Sequence, residues 1–154
     1  MSKSTFEEII ERDGKLLYTN KGDSMMPLIR EGCDILVIEK TNGRLKRFDI
    51  PLYRRDNGQY VLHRIIRIRQ NDYVICGDNR VSPEYGITDR HIIGVLTSVI
   101  RNGREIPVRS RQYKLYAYLW HLLFPLRYVI KKISCLLRKR RKKIDRKRIQ
   151  NRHQ

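Results

Sequence analysis

The sequence predicts a mainly β domain, a barrel or sandwich-like coil of strands, with a short N-terminal helix and a basic helical tail. Short runs of branched and aromatic residues alternate with turn residues between positions 15 and 109, as is typical of β proteins. After that point the pattern becomes helical and strongly basic. A chain of 154 residues has room for one domain of roughly 100–110 residues and an appendage. We therefore place the β-rich domain at residues 1–110 and the tail at residues 111–154.

The first expected element is a short helix. Residues 4–7, Ser-Thr-Phe-Glu, have the pattern of a capping box, in which side chains satisfy the first backbone N–H groups of a helix. Apolar residues follow at helical spacing, namely Phe6, Ile9 and Ile10. The helix should run to about Arg12 and end at Asp13–Gly14.

The strands follow as short runs separated by turn signals. The expected runs are Lys15–Thr19, Asp34–Ile38, Phe48–Arg54, Gln59–Arg69, Tyr73–Cys76, His91–Arg101 and Arg104–Arg109. Pro51 in the third run indicates an edge strand or a bulge, because proline cannot donate to the hydrogen-bond ladder. Turns at Asn71–Asp72 and Asn102–Gly103 predict two hairpins, and the second has the composition of a type I′ turn.

The tail holds most of the excess positive charge. The formal net charge is +18, and 15 of the 34 Lys and Arg residues lie in residues 110–154, where Asp145 is the only acid. Such a tail predicts an anionic partner, either a lipid surface or nucleic acid, with a solvated tail as the alternative.

An amphipathic pattern in the tail favours the lipid surface. The apolar run Leu115–Leu126 contains Trp120 but is shorter than the ~20 residues that a spanning helix needs. Beyond it, one helical face is apolar: Val129, Ile130, Ile133, Leu136 and Leu137. The basic run Arg138–Lys143 comes next. We expect peripheral attachment to an anionic membrane, and a cytoplasmic location because residues 1–21 show no apolar secretory signal.

The sequence gives no sign of a metal or cofactor. Three cysteines, Cys33, Cys76 and Cys135, are an odd number without C-x-x-C spacing, which argues against a disulfide framework and a zinc site. The chain has no glycine pattern typical of nucleotide or dinucleotide binding.

Three motifs contain residues that can perform chemistry. Ser24 lies in the tight turn 22–27, His63 lies in a predicted strand, and Asp78 and Asp89 lie in turns further along. A histidine can take the proton of a nearby serine, and an aspartate can orient that histidine. Taken singly, the serine is a common turn residue, the histidine a packing residue and the aspartates turn-forming residues.

The chain contains, in this order, the motifs Ser-Met-x-Pro, Val-x-His-Arg-Ile-Ile, Gly-Asp-Asn-Arg, Asp-Arg and Gly-x-Val. Together they resemble the motifs of the type I signal peptidase and LexA-type serine peptidase superfamily. The resemblance covers about residues 20–100. The first motif is similar to the LexA branch. His63, where most bacterial members have lysine, is similar to the signal peptidases of the endoplasmic reticulum and of archaea. The resemblance implies a LexA-like β catalytic domain.

The resemblance also implies residue roles. Ser24 would be the nucleophile, His63 the general base and Asp89 the acid, with Asp78 as a rival acid or a structural partner. The neighbours of the serine would serve the oxyanion hole or contact substrate: Gly22, Asp23 and Met25. Gly22 stands where signal peptidases often have a serine, so backbone N–H groups, including that of Ser24, are expected to form the hole. The interval between the two aspartates is longer than usual and contains residues 82–86.

The expected function is therefore that of a serine endopeptidase that cleaves peptides or precursor proteins through an acyl-enzyme at a membrane surface. The alternative is a non-catalytic module of the same fold that binds membrane or RNA through its basic tail. With histidine as the base, activity should rise across roughly pH 6–7. The sequence leaves the oligomeric state open.

Overall fold

The computed structural model describes residues 4–130 and 132–134. It is mainly β, with a sheet that curls into a half-barrel and a short N-terminal helix. The elements in chain order are α1 (Phe6–Asp13), β1 (Lys15–Thr19), β2 (Ile35–Glu39), β3 (Pro51–Arg54), β4 (Tyr60–Leu62), β5 (Arg64–Ile68), β6 (Tyr73–Cys76), β7 (Glu84–Ile87), a 3₁₀ turn (Asp89–His91), β8 (Ile92–Arg101), β9 (Arg104–Pro107) and α2 (Arg111–Leu122).

The predicted N-terminal helix is confirmed, but its cap lies one residue later than the sequence pattern indicated. The Thr5 hydroxyl accepts the Glu8 N–H at 3.3 Å, and the Glu8 carboxylate accepts the Thr5 N–H at 3.0 Å. Gly14 ends the helix in the left-handed conformation, with φ of 71°.

The first sheet is antiparallel and has the strand order β1-β2-β8-β3-β4, with β9 paired to β8. The predicted hairpin at Asn102–Gly103 is confirmed, and both turn residues have the positive φ of a type I′ turn. Of the two alternatives predicted at Pro51, an edge strand or a bulge, the edge strand is wrong, because β3 lies between β8 and β4. Pro51 is tolerated as the first residue of its strand, and the expected irregularity appears as a register shift between Leu52 and Tyr53.

The second sheet has the order β5-β6-β7. The predicted strand 59–69 breaks at His63, so that β4 belongs to the first sheet and β5 to the second. Strand β7 was not predicted, because Pro83 and Gly86 give its segment the composition of a turn. His63 consequently lies where the chain passes from one sheet to the other.

Helix α2 begins at Arg111 and packs on the β-rich part through Tyr113 and Ala117, which are buried. Trp120 donates its indole N–H to the backbone oxygen of Asp78 at 2.8 Å. The first compact unit therefore ends at His121 and the second begins at Leu122, whereas the sequence placed the boundary at residue 110. The early part of α2 joins the first unit because its apolar side chains complete a core there.

In the second unit, residues 124–130 are helical. Residues of the predicted apolar face are exposed, including Val129, Ile130 and Ile133. Leu136, Leu137 and the basic run lie outside the described residues. No helix in the described part is both long enough and apolar enough to cross a membrane.

Candidate active site

The turn that carries Ser24 is fixed from both sides. The Gly22 N–H donates to the Glu31 carboxylate at 2.6 Å, and the Gly22 carbonyl accepts from Asn20 at 2.8 Å. Gly22 has φ of 121°, a conformation that favours glycine. Met25, on the other side of the serine, is 0% exposed and belongs to the hydrophobic core. Ser24 is therefore held half-buried at the surface by rigid neighbours.

The loop that follows β6 clamps this turn. Asn79 donates its backbone N–H to the Ser24 carbonyl at 2.7 Å and its side-chain amide to the Asp23 carboxylate at 3.0 Å. Arg80 pairs with Asp23 at 2.5 Å. Asp23, expected at the oxyanion or substrate position, is thus part of the clamp that joins the two loops.

Gly77 marks the place where Ser24 meets His63. A Cβ atom on Gly77 would lie 2.7 Å from the Ser24 carbonyl oxygen and 3.0 Å from Nε2 of His63. Real Cβ contacts essentially never come below 3.0 Å, so only glycine fits between the serine turn and the imidazole. The structure brings together the two residues on which the sequence argument depends.

The Ser24 hydroxyl and the His63 imidazole are not hydrogen-bonded to each other in the described part of the chain. Neither Ser24 Oγ nor His63 Nε2 has a hydrogen-bond partner within residues 4–130 and 132–134. Catalytic hydrogen bonds commonly form only when substrate is bound. The Ser24 backbone N–H also has no acceptor in the same part of the chain, which leaves it able to donate to an oxyanion.

His63 has its second ring nitrogen on a carboxylate. The side chain is buried, and Nδ1 lies 3.2 Å from Oε1 of Glu84 and 3.3 Å from the Tyr53 hydroxyl. Because Tyr53 donates its own proton to Glu84 at 3.0 Å, the favoured arrangement puts a proton on Nδ1 that is donated to Glu84. That tautomer leaves a lone pair on Nε2, the nitrogen beside Gly77, as a general base requires.

The protonation states suit the same role. Burial lowers the pKa of His63, with Glu84 opposing the shift and Arg55 adding to it. Burial opposes ionisation of Glu84, but hydrogen bonds from Arg55 and Tyr53 outweigh it and lower its pKa. Desolvation raises the pKa of Tyr53, which remains a donor. At neutral pH the site therefore contains a neutral imidazole beside an ionised carboxylate.

Asp89, which was expected to be the acid that orients His63, lies elsewhere in the fold. Asp89 accepts a hydrogen bond from the Tyr73 hydroxyl. In the second sheet Tyr73 pairs with Ile68 and Ile87, at the end of β5 opposite to His63. Strand β7 carries the chain away from His63 before Asp89 is reached, so the contact with Nδ1 is made by Glu84 at the start of that strand.

The rival acid, Asp78, forms a buried pair with Arg64. The two side chains are 3% and 2% exposed and are joined by bonds of 2.8 and 2.7 Å. Burial opposes the charge of Arg64, but the hydrogen bonds that it donates to Asp78, together with the charge of Asp78, prevail and raise the pKa of Arg64. Arg64 also contacts the hydroxyl of Tyr113 on α2 at 3.5 Å. Asp78 is therefore the structural partner rather than the acid of the site.

Met25 also lies elsewhere than the resemblance implied. Residue type favoured rim or core packing for Met25, whereas the resemblance implied contact with substrate; its burial places it in the core, and the next residue, Met26, is 40% exposed.

Sequence reasoning missed Glu84, Tyr53 and Arg55. Glu84 lies within residues 82–86, the segment whose length departs from the family pattern, and an acid in that extra segment was the available signal. Tyr53 and Arg55 come from β3 and the residue after it, so no local pattern connects them to His63.

No group of three or more His, Cys, Asp or Glu in the described part of the chain could hold a metal ion. His91 uses both ring nitrogens, one with Thr88 at 3.0 Å and one with Asp56 at 3.2 Å. Comparisons of the chain with family models, curated proteins and solved structures found no match. An activity for this chain is therefore inferred from the geometry of the site.

Proposed function

We propose that this protein is a serine endopeptidase that uses Ser24 as nucleophile and His63 as general base. The observation that carries the proposal is the meeting of the Ser24 turn and the His63 imidazole on either side of Gly77. A histidine whose other nitrogen contacts an ionised carboxylate is the arrangement that activates serine in unrelated hydrolases. Glu84 takes the part that the resemblance assigned to Asp89.

In the proposed reaction, Nε2 of His63 accepts the proton of the Ser24 hydroxyl as its oxygen attacks the peptide carbonyl carbon. Glu84 stabilises the imidazolium, and the backbone N–H of Ser24 donates to the developing oxyanion. The imidazolium then protonates the leaving amine, and an acyl-enzyme remains. Water, deprotonated by His63, releases the acyl group and regenerates Ser24.

The proposed substrates are peptides or precursor proteins, with a small residue before the cleaved bond if the family preference applies. An extended peptide is required, since the nucleophile is half-buried beside the clamp between Asp23 and Arg80. Small side chains flanking the cleaved bond let the carbonyl approach such a recessed hydroxyl.

We also propose that the protein attaches peripherally to anionic membrane on the cytoplasmic side. Large apolar side chains are exposed throughout the described part of the second unit: Leu122, Leu123, Leu126, Val129, Ile130 and Ile133. Such a surface is typical of a helix that lies in a lipid interface. The basic residues of the tail would each add about 1 kcal/mol near anionic lipid.

The test of the peptidase uses the full chain. A library of synthetic peptides is incubated with the protein, products are read by mass spectrometry, and a fluorophosphonate probe measures reaction at serine. We expect cleavage and labelling that Ser24→Ala and His63→Asn abolish and that Ser82→Ala, at an exposed serine, leaves unchanged. If the wild type neither cleaves nor reacts, the fold serves as a non-catalytic binding module.

The membrane proposal is tested by flotation with anionic vesicles. Truncation should begin at Leu122, because Tyr113 and Ala117 are buried in the first unit and their removal would disturb it. The full chain should float and the truncated chain should not. If the full chain does not bind the vesicles but retards RNA in a gel, the partner of the tail is nucleic acid and not lipid.

A further inference from the structure

A cavity of about 330 Å³ lies beside α2, and neither Ser24 nor His63 lines it. Its volume is within the range of small-molecule sites in proteins. The wall is mostly apolar and aromatic and is formed by Phe48, Val108, Tyr113, Ala117 and Tyr118. Such a wall accepts a hydrocarbon body without requiring hydrogen bonds from it.

The polar residues around this cavity are mainly cationic. Arg47, Arg109 and Lys114 line it together with one acid, Asp49. The Asp49 carboxylate already accepts the Lys46 N–H at 2.8 Å. Arg109 and Lys114 are exposed and form no ion pair within the described ranges, so their charges remain available to an anion.

Phe48 is held in an unusual backbone conformation at this cavity. Its φ of 75° is a genuine outlier for a bulky residue. Ile65 accepts its N–H at 2.9 Å, and Arg64 donates to its carbonyl at 3.2 Å. The guanidinium of Arg47 lies over its ring at 4.7 Å from the centroid. Surroundings that enforce strain of this kind are common at ligand sites, and here they place an aromatic ring directly below a cation.

We infer that this cavity binds one anionic amphiphile, with its acyl chain against Phe48 and Ala117 and its carboxylate or phosphate on Arg109, Lys114 and Arg47. A hydrocarbon chain fits the apolar wall, and a negative head group fits the cationic rim. The choice of a lipid over other amphiphilic anions rests on the membrane part of the proposed function. The site needs no catalysis by Ser24, and all its lining residues precede Leu122.

Binding can be measured with the full chain and the fluorescence of Trp120, its only tryptophan, which lies one helical turn after Ala117. The probes are decanoate and decanoyl lysophosphatidic acid, both below their aggregation concentrations, with monodecanoylglycerol as the neutral match. We expect saturable binding of at least one anionic probe, one molecule per chain by calorimetry, and at least about tenfold weaker binding of the neutral probe. The stronger anionic probe identifies the head group.

Two variants and one control locate the site. Arg109→Glu with Lys114→Glu should weaken binding at least about tenfold, and Val108→Phe, which fills the cavity, should reduce it further. The control, Lys15→Glu with Arg104→Glu, makes the same charge change at exposed residues outside the cavity and should bind as the wild type does. Because the rim variant changes only exposed side chains, it tests the site even if Val108→Phe fails to fold.

The inference is overturned if neither anion binds, if the neutral probe binds equally well, if several molecules bind per chain, or if the rim variant binds as the control does. Fluorophosphonate labelling and vesicle flotation of the same rim variant report separately on the proposed function. Loss of monomeric lipid binding with labelling and flotation unchanged assigns the effect to the cavity alone.

Discussion

Replacement of Gly77 by alanine tests the contact on which the site depends. Gly77 does not have the left-handed φ that favours glycine, so backbone entropy alone predicts that alanine stabilises the protein by about 0.4–1 kcal/mol. The structure predicts the opposite sign. The new Cβ would lie 2.7 Å from the Ser24 carbonyl oxygen and 3.0 Å from both Nε2 and Cδ2 of His63.

The loss of stability expected for Gly77→Ala depends on whether the groups around the new Cβ can move away from it. Ordinary van der Waals contact begins at 3.4 Å, and the Ser24 oxygen is held by the Asn79 N–H at 2.7 Å. The serine turn and the imidazole must therefore separate. Overpacking of this kind costs about 1–3 kcal/mol, which leaves a net destabilisation of up to about 2.6 kcal/mol after the entropic gain of about 0.4–1 kcal/mol. Displacement of a reacting group by ~1 Å costs about a hundredfold in rate.

Two assays check this prediction. Urea unfolding followed by Trp120 fluorescence gives the free energy of unfolding, and the rate of fluorophosphonate labelling reports on Ser24. Gly43→Ala is the control, because Gly43 has φ of 86° and no atom within 4 Å of its added Cβ. It should lose stability through backbone strain and keep its labelling rate. A Gly77→Ala protein that is as stable as the wild type and labels equally fast would refute the reasoning.

Three further predictions concern the charged groups. Glu84→Gln should lower the labelling rate by a factor of about 10²–10⁴, because the imidazolium loses its carboxylate. Asp89→Asn should retain the wild-type rate. If Asp89→Asn instead loses the rate and Glu84→Gln retains it, Asp89 is the acid. Since burial lowers the pKa of His63, the labelling rate should stay level from neutral pH down past the ordinary histidine pKa of about 6.5 and fall only below it. Between the lowered pKa of His63 in the folded protein and about 6.5, the unfolded chain binds a proton at His63 that the folded chain does not bind. The free energy of unfolding attributable to His63 should therefore decrease as the pH falls through this range. A midpoint of the rate profile above about 6.5 would contradict the lowered pKa. Asp78→Ala leaves the Arg64 guanidinium buried without its partner and should destabilise the protein by about 3–5 kcal/mol in urea unfolding, while Arg64→Met with Asp78→Leu should recover most of that loss.

Adjacent residues at the break between β4 and β5 serve different parts of the molecule. His63 contacts Glu84 and the space beside Gly77, while Arg64 pairs with Asp78 and contacts Tyr113 of α2. Side chains of successive residues in extended chain point to opposite faces. Arg64 is paired with Cys76 in the register of β5 and β6. The loop that follows Cys76 therefore lies beside both His63 and Arg64.

Local patterns in the sequence were sufficient for much of the fold. Apolar periodicity and a glycine after the last turn predicted α1. The Asn102–Gly103 pair predicted the last hairpin, and both residues have positive φ in the structure. These signals are reliable because they depend on the conformation of a few consecutive residues. The break at His63 and strand β7 could not be found in this way, because their conformation is decided by pairing with distant strands.

The sequence by itself determined that the chain is β-rich with a basic tail, and it marked Ser24 and His63 as the candidates for nucleophile and base. The tertiary structure decided which carboxylate supports the histidine, and it selected Glu84 while committing Asp78 to Arg64 and Asp89 to Tyr73. The physical reason is that chemical type is a property of one residue, whereas contact between side chains depends on strand register. That register places the first residue of β7 beside His63 and carries the later aspartate to the far end of the sheet.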